Sequence, residues 1–498
     1  MGFFHARSRF AFSITLAAFL LLAAGAHADW VTVRVTNTPD GADLYPKVGD
    51  NVVGWQAYVP ATSTYDAMRW DPAGGVTNLS ASPRQEAGVV AGGPYVVWHG
   101  PDPGGWTQVY VNDGVTSHQL TSGPTHSGNP VIRRSMVAWV DATSPYGAVY
   151  ADDLDDPAPP VTIAPASDPA YGSMKGHADV SGNRVVWRAR DEVSAFHDDD
   201  IFYYDGSGIT NITNDDLHQG YPHLADSYIL WSQWDGTEYD LVRYDPATHA
   251  TTFLTTDTAY AVVPSNYSID GDRFVFSGVP DGETDREIYY YDGATMHRLT
   301  DDGLAQGTPT LSGPYVVWEE WLSDTNSEIM VHNLDDDITT RLTTNDYKDY
   351  RPCINGTTIA WEGLVWGPYQ RDSDLFVATL EAGPPVADPG GPYSGLWGDL
   401  LTLDARGSFD PDGQPVTDWE WDIEADGSVE YTTETVPFVV PGGWDWDSVH
   451  PLRLRVFAGG DWSEWAFSQI HVIPEPASLA LLGGALAAIA ARRRRRSS

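Results

Sequence analysis

Short apolar runs that end in an aromatic recur along this chain, each bounded by polar turn residues. They are Val52-Val53-Gly54-Trp55, Val96-Val97-Trp98, Val137-Ala138-Trp139, Val185-Val186-Trp187, Ile229-Leu230-Trp231, Phe274-Val275-Phe276, Val316-Val317-Trp318 and Ile359-Ala360-Trp361. The runs are too short for helices and are bounded by Gly, Pro, Asp and Asn, so they predict strands. Their spacing of about 44 residues lies in the range of a unit of four strands.

Each unit has the same parts. A turn such as Gly92-Gly93-Pro94, Gly182-Asn183 or Asp270-Gly271 precedes the anchor. A polar loop follows, then a strand such as Asp200-Ile201-Phe202-Tyr203-Tyr204 or Glu287-Ile288-Tyr289-Tyr290-Tyr291. A tight turn comes next, as at Asp113-Gly114, Asp205-Gly206 and Asp292-Gly293, which suits a hairpin. The last strand ends in a Leu-Thr-like pair: Leu79-Ser80, Leu120-Thr121, Ile163-Ala164, Ile212-Thr213, Leu254-Thr255, Leu299-Thr300 and Leu342-Thr343. Each pair lies about 20 residues before the next anchor. The eighth anchor has no pair after it, but Val35-Thr36 lies the same distance before Trp55. The pattern predicts a β-propeller of about eight four-stranded blades, with the N-terminal strand completing the last blade and closing the ring.

The two ends follow other rules. Residues 1–28 read as a signal peptide: Arg7 and Arg9, an apolar run from Phe10 to Ala24, then Ala26-His27-Ala28. Cleavage is expected between Ala28 and Asp29. At the other end Pro474-Glu475-Pro476 precedes an apolar run, Ala477 to Ala491, and a cluster from Arg492 to Arg496. Fifteen residues make about 22 Å of helix, a marginal transmembrane helix for a ~30 Å hydrocarbon core. The arginines would sit on the cytoplasmic side.

Composition narrows the partners. The 498 residues carry 69 Asp and Glu against 28 Lys and Arg, a net charge of −41. Such a surface repels nucleic acid and anionic lipid. The lone Cys353 excludes an intrachain disulfide and reads as a small buried hydrophobe.

Three resemblances rest on these residues. The strand, Asp/Gly loop, Ile-Tyr strand and Leu-Thr strand of residues 31–380 resemble TolB-like, or WD40-like, propeller repeats, without true Trp-Asp ends. After Gly383-Pro384-Pro385, the pieces Gly390-Gly391-Pro392-Tyr393, Leu403-Asp404-Ala405, Asp410-Pro411-Asp412-Gly413 and Trp419-Glu420-Trp421-Asp422 resemble a PKD domain, an immunoglobulin-like β-sandwich. Trp421 would be its core tryptophan. The C-terminal tail resembles a PEP-CTERM sorting signal. That resemblance implies transient anchoring in the inner membrane, processing by an exosortase at the Pro-Glu-Pro motif, and release to the surface or an extracellular matrix. The expected organisation is therefore 1–28 signal peptide, 29–381 propeller, 382–385 linker, 386–473 sandwich and 474–498 sorting tail.

Catalytic motifs are not legible. The chain has no Gly-x-Ser-x-Gly elbow, no His-Glu-x-x-His helix and no phosphate loop. Acidic loops offer candidate calcium ligands at Asp198, Asp199, Asp200, Asp281, Glu283 and Asp285, since hard cations take several oxygens. The alternative is a solvated acidic rim. Trp234, Trp321, Trp366 and Tyr369 are candidate platforms for sugar rings, the alternative being blade packing. No other cofactor is expected. The expectation is a non-catalytic surface or matrix protein whose propeller binds an exopolysaccharide or another surface protein. A propeller polysaccharide lyase or glycosidase, and a purely structural matrix component, are the alternatives.

Overall fold

A computed structural model describes residues 30–39, 41–142, 146–190, 199–255, 260–365, 373–380, 383–410 and 415–473. They form two compact units, one spanning Trp30–Leu380 and one beginning at Glu381. The fold is all-β; its described helical content is a single 3₁₀ turn, Pro169–Tyr171.

The first unit is a β-propeller. Among the described residues it holds eight four-stranded antiparallel sheets. Blade 1 runs outward through Ala42–Gly49, Val52–Val59, Thr64–Asp71 and Gly75–Asn78. Each anchor lies on the second strand of its blade and is at most 2% exposed. In five blades it stacks on its cross-strand partner, as Trp98 on Tyr110, Trp139 on Tyr150 and Trp361 on Phe376, with ring centroids 5.1–5.9 Å apart. Such aromatic pairs stabilise an antiparallel sheet beyond the area they bury.

The Leu-Thr pairs have a specific task. In blade 4 the Ile212 amide bonds the carbonyl of Ile201, and Thr213 Oγ1 accepts the Ile201 N–H at 2.9 Å. The same hydroxyl donates to buried Asp200 at 3.0 Å. Thr255 with Asp240, Thr343 with Glu328 and Thr121 with Gln108 repeat this latch in blades 5, 7 and 2. Blade 3 lacks both halves at once, with Ala148 and Ala164 at the two positions. A buried acid without its hydroxyl donor costs more than losing both partners together.

The eighth blade runs Asp349–Asn355, Thr358–Gly363, Asp374–Leu380 and then Trp30–Arg34. Its outer strand is the N-terminal strand, paired in register from Trp30↔Leu380 to Arg34↔Phe376. Val35 and Thr36 make the latch there: the Val35 amide bonds the carbonyl of Leu375, and Thr36 accepts the Leu375 amide. Hydrophobic clusters lie between successive blades. One of them packs Val53 and Trp55 of blade 1 on Cys353, Ala360, Leu375 and Val377 of blade 8, which joins the two ends of the array. Cys353 is buried at this join, and burial pushes its thiol up to about 11.

The second unit packs two sheets. Tyr393–Gly395, Ala466–Val472, Val449–Ala458 and Asp418–Ile423 form one, and Leu400–Asp404 with Thr435–Val439 forms the other. Leu403, Val436 and Phe438 meet Trp421, Leu454 and Ile470 between them. Trp421 is fully buried and donates its Nε1–H to the Thr433 carbonyl at 2.9 Å. No helix among the described residues is long and apolar enough to cross a membrane. The apolar run 477–491, expected to span, lies outside them.

Candidate functional site

The innermost strand of each blade has an irregularity at the same place. Its register with the second strand shifts between Leu44 and Lys47 in blade 1, Gly128 and Val131 in blade 3, Gly220 and His223 in blade 5, and Tyr350 and Cys353 in blade 8. In seven of the eight bulges a described residue has left-handed backbone: Gly88, and the non-glycine residues Tyr45 (φ 56°), Asn129 (51°), His177 (44°), Tyr221 (52°), Thr308 (46°) and Arg351 (51°). Non-glycine residues held there cost about 1–3 kcal/mol each and persist when the surroundings enforce them. A proline follows in five of these blades, at Pro46, Pro130, Pro222, Pro309 and Pro352, always nine residues before the anchor. Proline has no N–H to give to a ladder, so it fits a bulged inner strand. This X-Pro spacing was the sequence signal that would have located the channel wall.

Neighbouring blades hold the bulges. The Tyr45 amide donates to Glu362 Oε1 at 2.8 Å, that of Arg351 to Glu319 Oε2 at 2.9 Å, and that of Asn129 to His99 Nδ1 at 3.2 Å. Glu362, Glu319 and His99 each follow the anchor tryptophan of the preceding blade. The anchor thus fixes the core, and the next residue fixes the neighbour's channel wall.

The bulges surround a cavity of about 500 Å³ at the propeller centre. Its chemistry differs from that of the acidic surface. Lys47, Arg133 and Arg351 line it together with a single carboxylate, Asp179. Arg351 is held 3.3 Å from buried Glu362 and lies 4.6 Å over the Tyr45 ring. Arg133 donates to the Leu224 carbonyl at 2.8 Å. Lys47 makes no ion pair among the described residues. Burial works against the charge of Asp179, yet His223, 3.4 Å away, and the Leu224 amide hold its carboxyl below the usual range. Rings run from blade to blade, His177 to Tyr221 at 4.6 Å and His223 to Tyr267 at 5.1 Å.

The residues singled out from sequence lie elsewhere. Asp200 is a buried latch, bonded by Thr213 and Asn211, and Asp199 pairs with Arg188 at 3.2 Å. Asp281, Glu283 and Asp285 belong to a loop of blade 6. The carboxylates of Glu283, Glu287 and Asp301 come within 4.8 Å of one another. The Arg298 guanidinium sits among them, 2.9 Å from Glu283, 3.1 Å from Glu287 and 2.9 Å from Asp301, where a cation would lie. Trp234 packs on Tyr239 at 5.0 Å, and Trp321 is 39% exposed and donates to Glu319 at 2.9 Å. Asp198, Trp366, Tyr369, Ala28, Asp29, Pro474, Glu475 and Pro476 lie outside the described residues.

Comparison with known proteins adds two findings. Residues 472–496 match the family model of the PEP-CTERM protein-sorting motif. The chain carries a C-terminal sorting motif. It marks the protein for export, for sorting to the cell envelope or surface, and for recognition by an exosortase-type processing enzyme. No curated protein matches the chain.

Solved structures match the propeller. A puromycin-hydrolyzing peptidase of Mycobacterium tuberculosis is 13% identical with a TM-score of 0.45, covering 68% of this chain and 60% of its own. The β-propeller domain of the Trilobed protease from Pyrococcus furiosus is 10% identical with a TM-score of 0.43, covering 70% of this chain and 95% of its own. Dipeptidyl peptidase 4 of Porphyromonas gingivalis is 11% identical with a TM-score of 0.45, covering 66% and 57%. This chain spans about 59% of the length of puromycin hydrolase. At these identities the likeness is one of fold.

These neighbours differ in kind from the functional expectation. The solved structures of similar fold are peptidases, whereas the expectation was a non-catalytic scaffold with a polysaccharide lyase, a glycosidase or a structural matrix component as alternatives. The repeat itself carries no catalytic motif, so the sequence had offered only surface composition from which to choose a partner.

Proposed function

We propose that this protein works in peptide hydrolysis at the cell envelope, with the propeller channel taking up and orienting a short peptide. The observation that carries this reading is the channel lining. In a protein of net charge −41, Lys47, Arg133 and Arg351 face a common cavity with one carboxylate. A cavity of about 500 Å³ is the size of a small-ligand site. The cations suit a terminal or side-chain carboxylate, Asp179 suits an amino group, and the rings of Tyr45 and Tyr267 suit apolar side chains. An acidic exterior with a cationic interior favours ligands that present their negative end inward. The direct test is incubation of the purified full chain with a defined mixture of short peptides, read by mass spectrometry. Selective shortening of carboxylate-bearing peptides supports the reading; an unchanged mixture contradicts it.

A further inference from the structure

The second unit holds a constellation that the channel reading does not use. Ser448 Oγ lies 2.8 Å from Nε2 of His450, and His450 Nδ1 lies 3.1 Å from Oε1 of Glu424. A hydroxyl, an imidazole and a carboxylate in series are the arrangement in which a general base activates a weak nucleophile.

The local fold builds this series. Ser448 immediately precedes the strand Val449–Ala458, and His450 is two residues on, so both side chains fall on one face. Glu424 follows the strand Asp418–Ile423, which pairs Ile423 with Leu452. Its amide donates to the Pro451 carbonyl at 2.7 Å, and Glu424 and Ala425 both have left-handed backbone, φ 72° and 51°. The strained turn brings the carboxylate across to the histidine. Trp444 stacks flat on the imidazole, with centroids 3.6 Å apart and planes 9° apart, which fixes the ring. With Glu424 accepting the Nδ1–H, Nε2 keeps its lone pair toward Ser448. The hydroxyl donates its one proton to the Asp445 carbonyl at 2.5 Å, so it must turn from that carbonyl to Nε2 before it can attack.

Beside Ser448 is an apolar ledge. Trp397 and Trp446 stack 3.9 Å apart and are 39% and 37% exposed. The Trp397 indole N–H is tied to the Trp444 carbonyl at 2.8 Å. Exposed paired rings two residues from a nucleophile suit an aromatic or alkyl group of a substrate.

We propose that Ser448, His450 and Glu424 form an acyl-transfer site for small esters with an apolar group. Ser448 Oγ bonds to the carbonyl carbon as its proton passes to His450 Nε2. The ester C–O bond then breaks, and His450 returns the proton to the departing alcohol. Water attacks the resulting acyl-serine, giving its proton to His450. The acid leaves, and Ser448 regains its proton. Glu424 stays ionised and holds the imidazolium. The site stands independently of the channel, and no channel residue enters its test.

The test uses the purified full chain with a fluorophosphonate probe and with p-nitrophenyl butyrate. The expected result is phosphonylation mapped to Ser448, ester turnover at least tenfold above Ser448→Ala and His450→Gln, and a pH-dependent labelling rate that flattens in His450→Gln. Glu424→Gln, exposed and isosteric, should lower turnover with the melting temperature kept. Labelling no greater in the parent than in Ser448→Ala, or equal turnover in the two, would overturn the proposal.

Discussion

The hydroxyl of Thr36 accepts the backbone N–H of Leu375 at 2.8 Å, although 339 residues separate them in the chain. The bond is the seventh copy of a latch that the other blades, except blade 3, make within themselves, and it ties the start of the propeller to its end. Thr36→Ala removes the acceptor while Leu375 and Asp374 stay buried. The expected loss is about 1–3 kcal/mol by denaturant unfolding. Deleting residues 29–40 exposes the edge of the strand Asp374–Leu380 and should also cause association, read by light scattering. A monomeric deletion variant with unchanged melting would contradict this role.

Protonation of two buried carboxyls should stabilise the propeller. Glu86 is 4% exposed, and burial, then the nearby charge of Asp66, pushes its carboxyl up to about 7. Burial likewise pushes Asp349 up to about 7. A carboxyl whose pKa is raised on folding binds its proton more tightly in the folded state. Its contribution is therefore full below the unfolded value, near 4.5 for Glu86, and is lost as pH rises through about 7. The Glu86 contribution to the unfolding free energy should fall between about pH 4.5 and 7, by as much as about 3 kcal/mol. Glu86→Gln should flatten that part of the profile; an identical slope would contradict the assignment.

Removing the Arg298 guanidinium should expose a cation site. In Arg298→Ala the carboxylates of Glu283, Glu287 and Asp301 lose their shared partner, and Glu287 is fully buried. The variant should lose about 3–5 kcal/mol and regain part of it in millimolar calcium. Thermal melts against sodium of matched ionic strength check this, with the parent as the reference.

The tail should act through its motif. Glu475→Ala should leave unprocessed protein in the membrane fraction of the native host, read by immunoblot. Normal release would show that the Pro-Glu-Pro element is not what the processing enzyme reads.

Much of the fold was legible because it repeats. The anchors mark a position that every blade buries, and Val35-Thr36 announced its displaced role through its distance from Trp55. The acids were harder. Asp200 looks in the sequence like one more loop carboxylate, but its partner hydroxyl, Thr213, lies just past the next strand and draws it inside. The channel escaped because the lining comes a few residues at a time from blades far apart in the chain, and only curvature brings Tyr45, Arg133 and Arg351 to one cavity. The X-Pro pairs nine residues before the anchors carried that information in plain sight. Glu424 and His450 are 26 residues apart, and only the pairing of Ile423 with Leu452 makes them neighbours.

The channel reading is tested most directly by calorimetric binding of two versions of one short peptide, with a free and an amidated C-terminus, to the full chain and to Lys47→Glu. Lys47 is exposed and makes no ion pair among the described residues, so reversing its charge should leave folding intact. The account predicts that the free-acid peptide binds the parent at least tenfold more tightly than its amide, and that Lys47→Glu removes most of this difference. Equal binding of the two peptides to the parent, or no binding of either at millimolar concentration, would contradict it.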